Sequence, residues 1–440
     1  VHLSKMAMIT KEAYEAIKRR LILDCLASGI NSITTQVERI ILPRVIDVVN
    51  DVLDLMANMT VGQIMEFTVL DFTDAFFKVP LLFDDRRYYC TSFQGVVYGW
   101  KRIAQGSKNG PQIFGRLSAM VARLTQGMMD PRRSRLHIYT DDPIQVMIGT
   151  LAEIRRERAR MILVWKALGF DLAFHKAQSG SKVDWIGHTI GVDVQKAEVT
   201  VQIKEEFLKE LLTTTTELLK SNVVTLKDIT SYTGRANHVA SLMWAWRPFM
   251  GELWGAINMQ DKPTNAPRNC IWTKQVQAAL KWIEAFLKKA HSSVIRTWRL
   301  SHYLASTGDL TICFDACPWG IGAVIWLRGF PIAYLLDRLS HFDFKKFQHA
   351  EGSSDGQQVW ETLAVLVALR CWRKYWSMGR FALRIKGDNM TALTAVSKLK
   401  GSSLAVRTLT REMALEFTEA CYHPTEVQHI PGVTNVLADI

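Results

Sequence analysis

Short apolar runs that end in acidic residues recur along the chain and predict strands with carboxylates at their ends. The run 136–147 is rich in Ile, Val and Met and carries Asp141 and Asp142 at its centre. This pattern predicts two strands joined by a tight turn that holds both acids. Because a buried, unpaired carboxylate is costly, a divalent cation is the natural partner of such a pair. The alternative is an ordinary solvated hairpin tip.

The N-terminal part of the chain alternates between helical and strand patterns. The spacing of apolar residues predicts a helix over 11–18, a short strand over 21–23, and a second helix that opens near Arg44 and runs through Leu55. A β-rich run then ends at Asp71, and a short aromatic segment follows it. An acid at that strand end, facing the two acids of the turn across a sheet, would complete a carboxylate cluster.

The C-terminal part changes from helices to strands. Residues 201–300 have a helical pattern rich in tryptophan, and 260–269 form the best internal linker. After Gly308 the pattern predicts a hairpin over 310–326 and a third strand over 331–336. An apolar helix over 360–376 and a strand over 384–388 follow.

Four acids occupy related positions in this C-terminal part. Asp315 ends the first strand, Glu361 stands in the first turn of the helix, Asp388 ends the later strand, and Asp439 comes near the end. Each acid alone would be a solvated surface residue. Together they predict a second carboxylate cluster suited to divalent cations.

Composition supports folded domains with a polyanionic partner. The 440 residues are enough for two to four domains with their own cores. A hydrophobic content of 48% with 22% charged residues is typical of globular protein rather than of a disordered tail. The net charge of +12 favours nucleic acid as the leading partner.

Cysteine usage and hydropathy indicate an intracellular protein without a membrane partner. The seven cysteines are scattered without the spacing of a zinc site, so we expect reduced thiols. No apolar run approaches the length that spans a bilayer, and no signal peptide is evident. The chain opens on Val1, so we expect it to be cut from a longer polypeptide.

The Asp71 segment and the turn Tyr139-Thr140-Asp141-Asp142 resemble the two metal-binding motifs of reverse transcriptases, particularly those of retroviruses and LTR retrotransposons. Further blocks follow the order of that family, although Gly110 stands where the family usually has a small Ser. These blocks are 20–24, 105–114, 168–176, 185–188 and 226–248. Each block is weak alone, and their order carries the resemblance.

The resemblance implies an RNA-directed DNA polymerase that uses an RNA template, a DNA or RNA primer and dNTPs. Asp71, Asp141 and Asp142 would be catalytic and would hold Mg²⁺, two ions per active site, with Mn²⁺ able to substitute. Lys176 would lie near the leaving pyrophosphate and act as its acid. The same family assignment implies binding of the template-primer by Tyr139.

The resemblance also implies contacts to the incoming nucleotide. Arg20, Gln105 and Gly106 would bind it. Phe76, five residues after Asp71, matches the bulky residue that this family sets against the sugar. An aromatic ring there would exclude a 2′-hydroxyl and favour deoxynucleotides. The alternative is a core position for Phe76, as for its neighbour Phe77.

The C-terminal pattern of acids is similar to that of ribonuclease H. Asp315, Glu361, Asp388 and Asp439 match its four metal-binding acids, and His429 matches a mobile histidine that assists late in the reaction. The resemblance implies two Mg²⁺ ions and cleavage of the RNA strand in RNA–DNA hybrids. The family continues beyond the last acid, so we expect the final helix to be clipped.

We therefore expect a mixed α/β (α+β) fold of the right-hand polymerase type. Its parts are fingers and palm over 1–200, thumb and connection over 201–304, and a ribonuclease H-like domain over 305–440. The expected source is an LTR (gypsy-like) or DIRS-type retrotransposon, with other retroelement polyprotein domains as partners. The expected location is a cytoplasmic particle or the nucleus.

Two functions of other classes remain open. One is a catalytically decayed or domesticated derivative that binds nucleic acid, although the acids retained at motif positions argue against it. The other is an RNA-dependent RNA polymerase, which shares the palm. Phe76 and the second carboxylate cluster argue against that alternative.

Overall fold

The computed structural model describes residues 3–13, 16–36, 38, 40–243, 246–259, 266–289, 295–304, 309–377, 381–401, 403–420 and 424–438. The chain divides into two compact units, Val1–Val199 and Thr200–Ile440. Both units combine helices with sheets, which confirms the mixed α/β class expected from the sequence.

The first unit contains four α-helices and ten strands within its described residues, and an eleventh strand crosses its end. The helices are α1 (Ile30–Ile33), α2 (Val45–Ala57), α3 (Gly110–Gly127) and α4 (Leu151–Ala167). The strands are β1 (Met6–Ala13), β2 (Ala16–Leu23), β3 (Ile64–Val69), β4 (Cys90–Phe93), β5 (Val96–Gly99), β6 (Ser134–Tyr139), β7 (Asp142–Gly149), β8 (Gln178–Gly180), β9 (Lys182–Trp185), β10 (His188–Asp193) and β11 (Glu198–Ile203).

The central sheet of this unit has the strand order β6-β7-β3-β8, and its neighbours run antiparallel. Strand β7 is buried along nearly its whole length, and most of its positions are apolar, although the buried Gln145 is polar. An aromatic core supports the sheet, where the Phe72 ring lies 5.0 Å from Trp165 and 4.9 Å from Phe170. Strand ends are therefore held on a rigid platform.

The helix expected over 11–18 is wrong, because this segment belongs to a β-hairpin. Strands β1 and β2 pair antiparallel from Met6 with Leu23 to Ala13 with Ala16. An isolated helix of eight residues is marginal, whereas the hairpin satisfies main-chain groups along both strands. The β-branched Thr10 and Ile17 also favour the extended form.

The second unit begins with helices and continues with a five-stranded sheet. The helices are α5 (Glu205–Lys220), α6 (Leu226–Leu242), α7 (Arg247–Asn258), α8 (Gln277–Lys289), α9 (Leu300–Leu304), α10 (His341–Phe347), α11 (Gln357–Ser377), α12 (Met390–Lys398) and α13 (Leu404–Ala420). The strands are β12 (Val223–Thr225), β13 (Cys270–Trp272), β14 (Ile295–Arg299), β15 (Asp309–Cys317), β16 (Gly320–Leu327), β17 (Phe330–Arg338), β18 (Ala382–Gly387) and β19 (Glu426–His429).

The five-stranded sheet has the order β17-β16-β15-β18-β19. Strand β15 is antiparallel to β16 and parallel to β18, and β18 is parallel to β19. Helix α11 packs on one face through buried residues such as Trp360 and Val365, against Ile312 and Phe314 of β15. The parallel pairing brings the ends of β15 and β18 to the same edge of the sheet.

An ion pair joins the helical segment to the C-terminal part within this unit. Arg411 of α13 lies 2.5 Å from Glu252 of α7, and the two side chains are only 7% and 18% exposed. The expected division at residue 304 stays a prediction, and residues 260–265 of the expected linker lie outside the described residues.

The six cysteines in the described ranges are free thiols. Among the same residues, none of the helices combines the length and the apolar character needed to cross a membrane.

Candidate active sites

The strand register of the first unit brings three acids together. Val69 of β3 pairs with Ile144 of β7, and the pairing continues beyond the strand end. The Leu70 amide donates to the Pro143 carbonyl at 3.2 Å, and the Phe72 amide donates to the Asp141 carbonyl at 3.2 Å. Asp71 therefore lies directly beside the turn that carries Asp141 and Asp142.

The turn between β6 and β7 is tight and conformationally unusual. Tyr139 pairs with Asp142, so only Thr140 and Asp141 connect the two strands. Thr140 has a φ of 56°, in the left-handed region that a β-branched residue rarely adopts. Strained backbone conformations of this kind cluster at functional sites, where the surrounding structure holds them in place.

The three carboxylates interact electrostatically. Burial raises the pKa of Asp141, and the charge of Asp71 adds to the effect. Burial also raises the pKa of Asp142 to about 6, and the charges of Asp141 and Asp71 contribute. A bound cation offsets the repulsion among buried like charges, so this cluster is suited to hold a cation.

Lys176 supplies a positive charge to this cluster. Its ammonium group forms an ion pair with the Asp71 carboxylate. The segment before it is fixed by the Ala173 amide, which donates to the Asp71 carbonyl at 2.9 Å. The expected role of Lys176 at the leaving pyrophosphate stays a prediction.

The loop at Gln105 and Gly106 is held against the end of β2, the strand that carries Arg20. The Leu23 amide donates to the Gln105 carbonyl at 2.9 Å. Gly106 has a φ of 108°, and a Cβ there would lie 2.1 Å from the Leu23 carbonyl oxygen. Only glycine fits this approach. Arg20 is exposed, and its charge acts to lower the pKa of Asp141.

Asn31 is part of this arrangement, although we did not predict it as a site residue. Its side-chain amide donates to the Gly106 carbonyl at 3.0 Å. Its side-chain oxygen accepts from the Lys108 amide at 2.9 Å. Asn31 therefore holds both ends of the loop that contains Gly106. The nearest signal in the sequence is an Asn two residues after a glycine, which by itself indicates only a turn.

Phe76 lies between the site and the core. Its ring is 5.6 Å from that of Phe114 and is only partly buried. A Cβ at Gly110 would lie 3.4 Å from the Phe76 ring, which is tighter than most such contacts. The departure from Ser at position 110 therefore gives the ring its space.

Tyr139 and the hairpin β9–β10 lie beside the turn. The Trp185 indole donates to the Asp142 carbonyl at 2.9 Å. The rings of Tyr139 and Trp185 meet edge to face, with centroids 6.5 Å apart. Tyr139 remains 36% exposed, so its ring is available to a ligand.

The second unit contains a closer cluster of acids. One carboxylate oxygen from each of Asp315, Glu361 and Asp388 lies within 4.8 Å of the others. The ends of β15 and β18 supply the two aspartates, and α11 supplies the glutamate from the core side. Within the described ranges, the acids at Asp71, Asp141 and Asp142 do not meet this same spacing.

Glu361 is the buried member of this cluster, with an exposure of 2%. Burial raises its pKa to about 8, and the charges of Asp315 and Asp388 contribute. Its Oε1 accepts a hydrogen bond from Gln357 at 3.0 Å, while its buried Oε2 has no hydrogen-bond partner among the described residues. A cation would satisfy that oxygen, and carboxylates are the ligands that Mg²⁺ and Mn²⁺ prefer.

The segment after β18 and β19 closes around Asp388. His429 is exposed and pairs with Gly387 at the strand ends. A Cβ at Gly432 would lie 3.0 Å from the Asp388 carboxylate, and the buried Asn435 side chain donates to the Phe314 carbonyl at 2.9 Å. Asp439 lies outside the described residues.

Comparison with known proteins gives a family match within the first unit. Residues 9–190 match the model of the family described as reverse transcriptase (RNA-dependent DNA polymerase). This stretch contains Asp71, Asp141, Asp142 and Lys176. Residues 9–190 are therefore similar to a reverse transcriptase domain. No curated protein matches the chain.

Solved structures of the foamy viral protease-reverse transcriptase are similar to the chain at low identity. Two complexes with double-stranded DNA are 16% identical, with TM-scores of 0.46, and cover 97% and 98% of this chain and 65% and 78% of theirs. A complex with an RNA/DNA hybrid is 16% identical, with a TM-score of 0.43, and covers 98% of this chain and 52% of its own. The chain thus spans less than two thirds of the first of these, and a similarity this distant carries no conclusion about activity.

Proposed function

We propose that the chain is an RNA-directed DNA polymerase of a retroelement, with a second site that cleaves the RNA strand of RNA–DNA hybrids. The observation that carries the first part is the meeting of Asp71 with Asp141 and Asp142 inside the matched reverse transcriptase segment. The close cluster of Asp315, Glu361 and Asp388 supports the second part. The element type would be LTR (gypsy-like) or DIRS-type.

In the polymerase reaction, the 3′-oxygen of the primer bonds to the α-phosphorus of a dNTP, and the bond to pyrophosphate breaks. Bound Mg²⁺ or Mn²⁺ would stabilise charge on the attacking and leaving oxygens. The residues that would hold it are Asp71, Asp141 and Asp142 in the first unit, and Asp315, Glu361 and Asp388 in the second.

The chain's own residues would bind and orient the reactants. Arg20 and the Gln105–Gly106 loop would contact the nucleotide phosphates and base pair. Lys176, now paired with Asp71, carries a proton within reach of the acid cluster and would give it to the leaving pyrophosphate. Tyr139 would contact the template-primer, and Phe76 would exclude the 2′-hydroxyl.

At the second site, a water would attack the RNA phosphodiester and the 3′-oxygen would leave. His429, exposed at the strand end beside the cluster, would move a proton late in this reaction. Asp439 would complete the ligand set. RNA would be recognised by its 2′-hydroxyls across the minor groove of the hybrid.

Primer extension on an RNA template with Mg²⁺ and dNTPs tests the first activity. Wild type should extend the primer, and Asp141→Asn should lose at least about a hundredfold in rate because an acid of the charge-stabilising cluster is removed. Asp84→Asn, an exposed acid of the same unit, is the control. Equal extension by wild type and Asp141→Asn would sink the proposal.

Cleavage of an RNA–DNA hybrid separates the second site from the first. Asp388→Asn should lose cleavage and keep primer extension, whereas Asp141→Asn should do the reverse. Asp337→Asn, on the same sheet, is the matched control. Binding of hybrid without either reaction in wild type would favour the catalytically decayed derivative, and better use of rNTPs than of dNTPs would favour an RNA polymerase.

A further inference from the structure

We infer that Gln357 is a positioning residue for the second acid cluster, which sets the affinity of that cluster for a divalent cation. The inference rests on the proposed function of this cluster. Gln357 is the first residue of α11 and lies one helical turn before Glu361. It is not an acid, so the pattern of carboxylates along the sequence does not reveal it.

The side-chain amide of Gln357 makes two hydrogen bonds from one nitrogen. It donates to the Ala316 carbonyl and to Glu361 Oε1, the latter at 3.0 Å. An amide nitrogen has two hydrogens, so both are used. Ala316 directly follows Asp315 in β15. Gln357 therefore ties the end of the strand that carries one acid to the side chain of a second acid.

This double contact fixes which oxygen of Glu361 is available. Oε1 is occupied by Gln357, and the buried Oε2 accepts no hydrogen bond among the described residues. Oε2 is thus the oxygen left for a cation, and one carboxylate oxygen from each of Glu361, Asp315 and Asp388 lies within 4.8 Å of the others. Without the donor, Glu361 could rotate, and a carboxylate 2% exposed would have no polar group to hold it.

Partners of this kind have a known energetic effect. Groups that hydrogen-bond a metal-binding side chain orient it before the metal arrives, and their loss typically weakens metal binding about 10- to 100-fold. Gln357 is only half-buried, so its removal leaves no large cavity and the fold should persist. The two lost hydrogen bonds should lower stability, and the folded variant should show the effect of Gln357 in its metal affinity.

Titration of the full chain with Mn²⁺ alone, followed by the electron paramagnetic resonance signal of the free ion, tests the inference. All proteins carry Asp141→Asn to weaken the first cluster, and the site measured is the one that Asp388→Asn removes. Gln357→Met keeps the side-chain length without the donor and should raise the Kd about tenfold. Gln357→His keeps an N–H donor and should recover part of the affinity.

Gln358→Met is the matched control, because Gln358 is the next residue on the same helix and its side chain is exposed. Its Kd should equal that of the parent. The inference is overturned if Gln357→Met binds Mn²⁺ as the parent does, or if no site depends on Asp388. Mn²⁺ binding is measured without nucleic acid, so a parent that binds the ion but cleaves no hybrid would fail the proposed function alone.

Discussion

One acid in each cluster is held by a neighbouring side chain. Asp71 is held by Lys176, and Glu361 is held by Gln357. Burial raises the pKa of Asp142 to about 6 and that of Glu361 to about 8. A protein that keeps carboxylates in such places loses stability when they ionise, unless a cation or a donor compensates.

Glu361 should make stability depend on pH when divalent ions are chelated. Its folded pKa of about 8 lies above the ordinary value of 4.5, so its contribution is complete below pH 4.5 and is lost as the pH rises through 8. Across that window in EDTA, wild type should lose on the order of a few kcal/mol of unfolding free energy relative to Glu361→Gln. Denaturant unfolding at several pH values measures this.

Addition of Mg²⁺ should shrink the loss at pH 8, since a cation stabilises the ionised form. A difference between wild type and Glu361→Gln that stays constant with pH would contradict the prediction.

Phe76 should set the choice of sugar. Phe76→Val removes the ring but keeps a branched apolar side chain against Phe114, so incorporation of rNTPs relative to dNTPs should rise about ten- to a hundredfold. Phe83→Val, an 80% exposed aromatic in the same unit, is the control. Single-nucleotide kcat/KM values for both sugars measure the ratio. An unchanged ratio would make Phe76 a core residue only.

At the scale of elements, the loop at Gln105–Gly106 is shaped by its contact with β2. Gly106 approaches the Leu23 carbonyl so closely that a Cβ would overlap it, and Asn31 ties the Gly106 carbonyl and the Lys108 amide to the turn after that strand. Strand β2 and this loop are therefore held together by a main-chain hydrogen bond and by the side chain of Asn31.

Gly106→Ala should therefore be costly. The new methyl group meets a backbone oxygen at a positive φ, and we expect a loss of about 1–3 kcal/mol in unfolding free energy. Gly127→Ala is the matched control, because a Cβ there meets nothing within 4 Å. Denaturant melts of both variants provide the measurement, and an equal stability for the two would refute the close approach.

Asn31→Ala should disturb the loop without unfolding the unit. The Lys108 amide loses its acceptor, so its hydrogen exchange should speed up, and the KM for dNTPs should rise about five- to twentyfold with kcat less affected, in line with one or two lost hydrogen bonds. Asn58→Ala, which removes an exposed bond at the end of α2, is the control. Unchanged exchange at Lys108 would exclude this role.

At the scale of the whole molecule, the second unit is held together by more than its sheet. The Arg411–Glu252 pair joins α13 to α7 in a place where neither side chain is well solvated. Removal of one partner from such a pair leaves a buried charge without compensation. Integrity of the helical segment and of the sheet that carries the acids should thus be coupled.

Arg411→Met should destabilise the chain by about 3–5 kcal/mol, and the double variant with Glu252→Leu should regain part of the loss. Lys209→Met, which breaks an exposed pair with Glu205 in the same unit, is the control and should leave stability almost unchanged. Chemical unfolding of wild type, Arg411→Met, Glu252→Leu and the double variant gives the coupling energy, and strict additivity would contradict it.

The acids were predictable from the sequence because each ends or opens a local element, and local patterns of apolar residues show where elements end. This holds for Asp141 and Asp388, whereas Asp315 lies inside β15, two residues before its end, and not at the end of the strand as expected. The resemblance predicted Lys176 and Gly106 as site residues, but their contacts were not predictable. Asn31 and Gly106 are 75 residues apart, and Lys176 and Asp71 are 105 apart, so only the fold brings them together. The hairpin β1–β2 was missed since its pairing outweighs a short helical pattern.

Under the role proposed for Phe76 in the choice of sugar, residue 110 becomes a second determinant of that choice, because it lies next to the ring. A larger residue at position 110 would meet the Phe76 ring and displace it, whereas a smaller side chain at 76 would leave a gap beside position 110. The side chains at positions 76 and 110 therefore share one space, and a change of size at either position alters it. A variant selected for the use of bulky or modified nucleotides could change first at position 110 and keep Phe76.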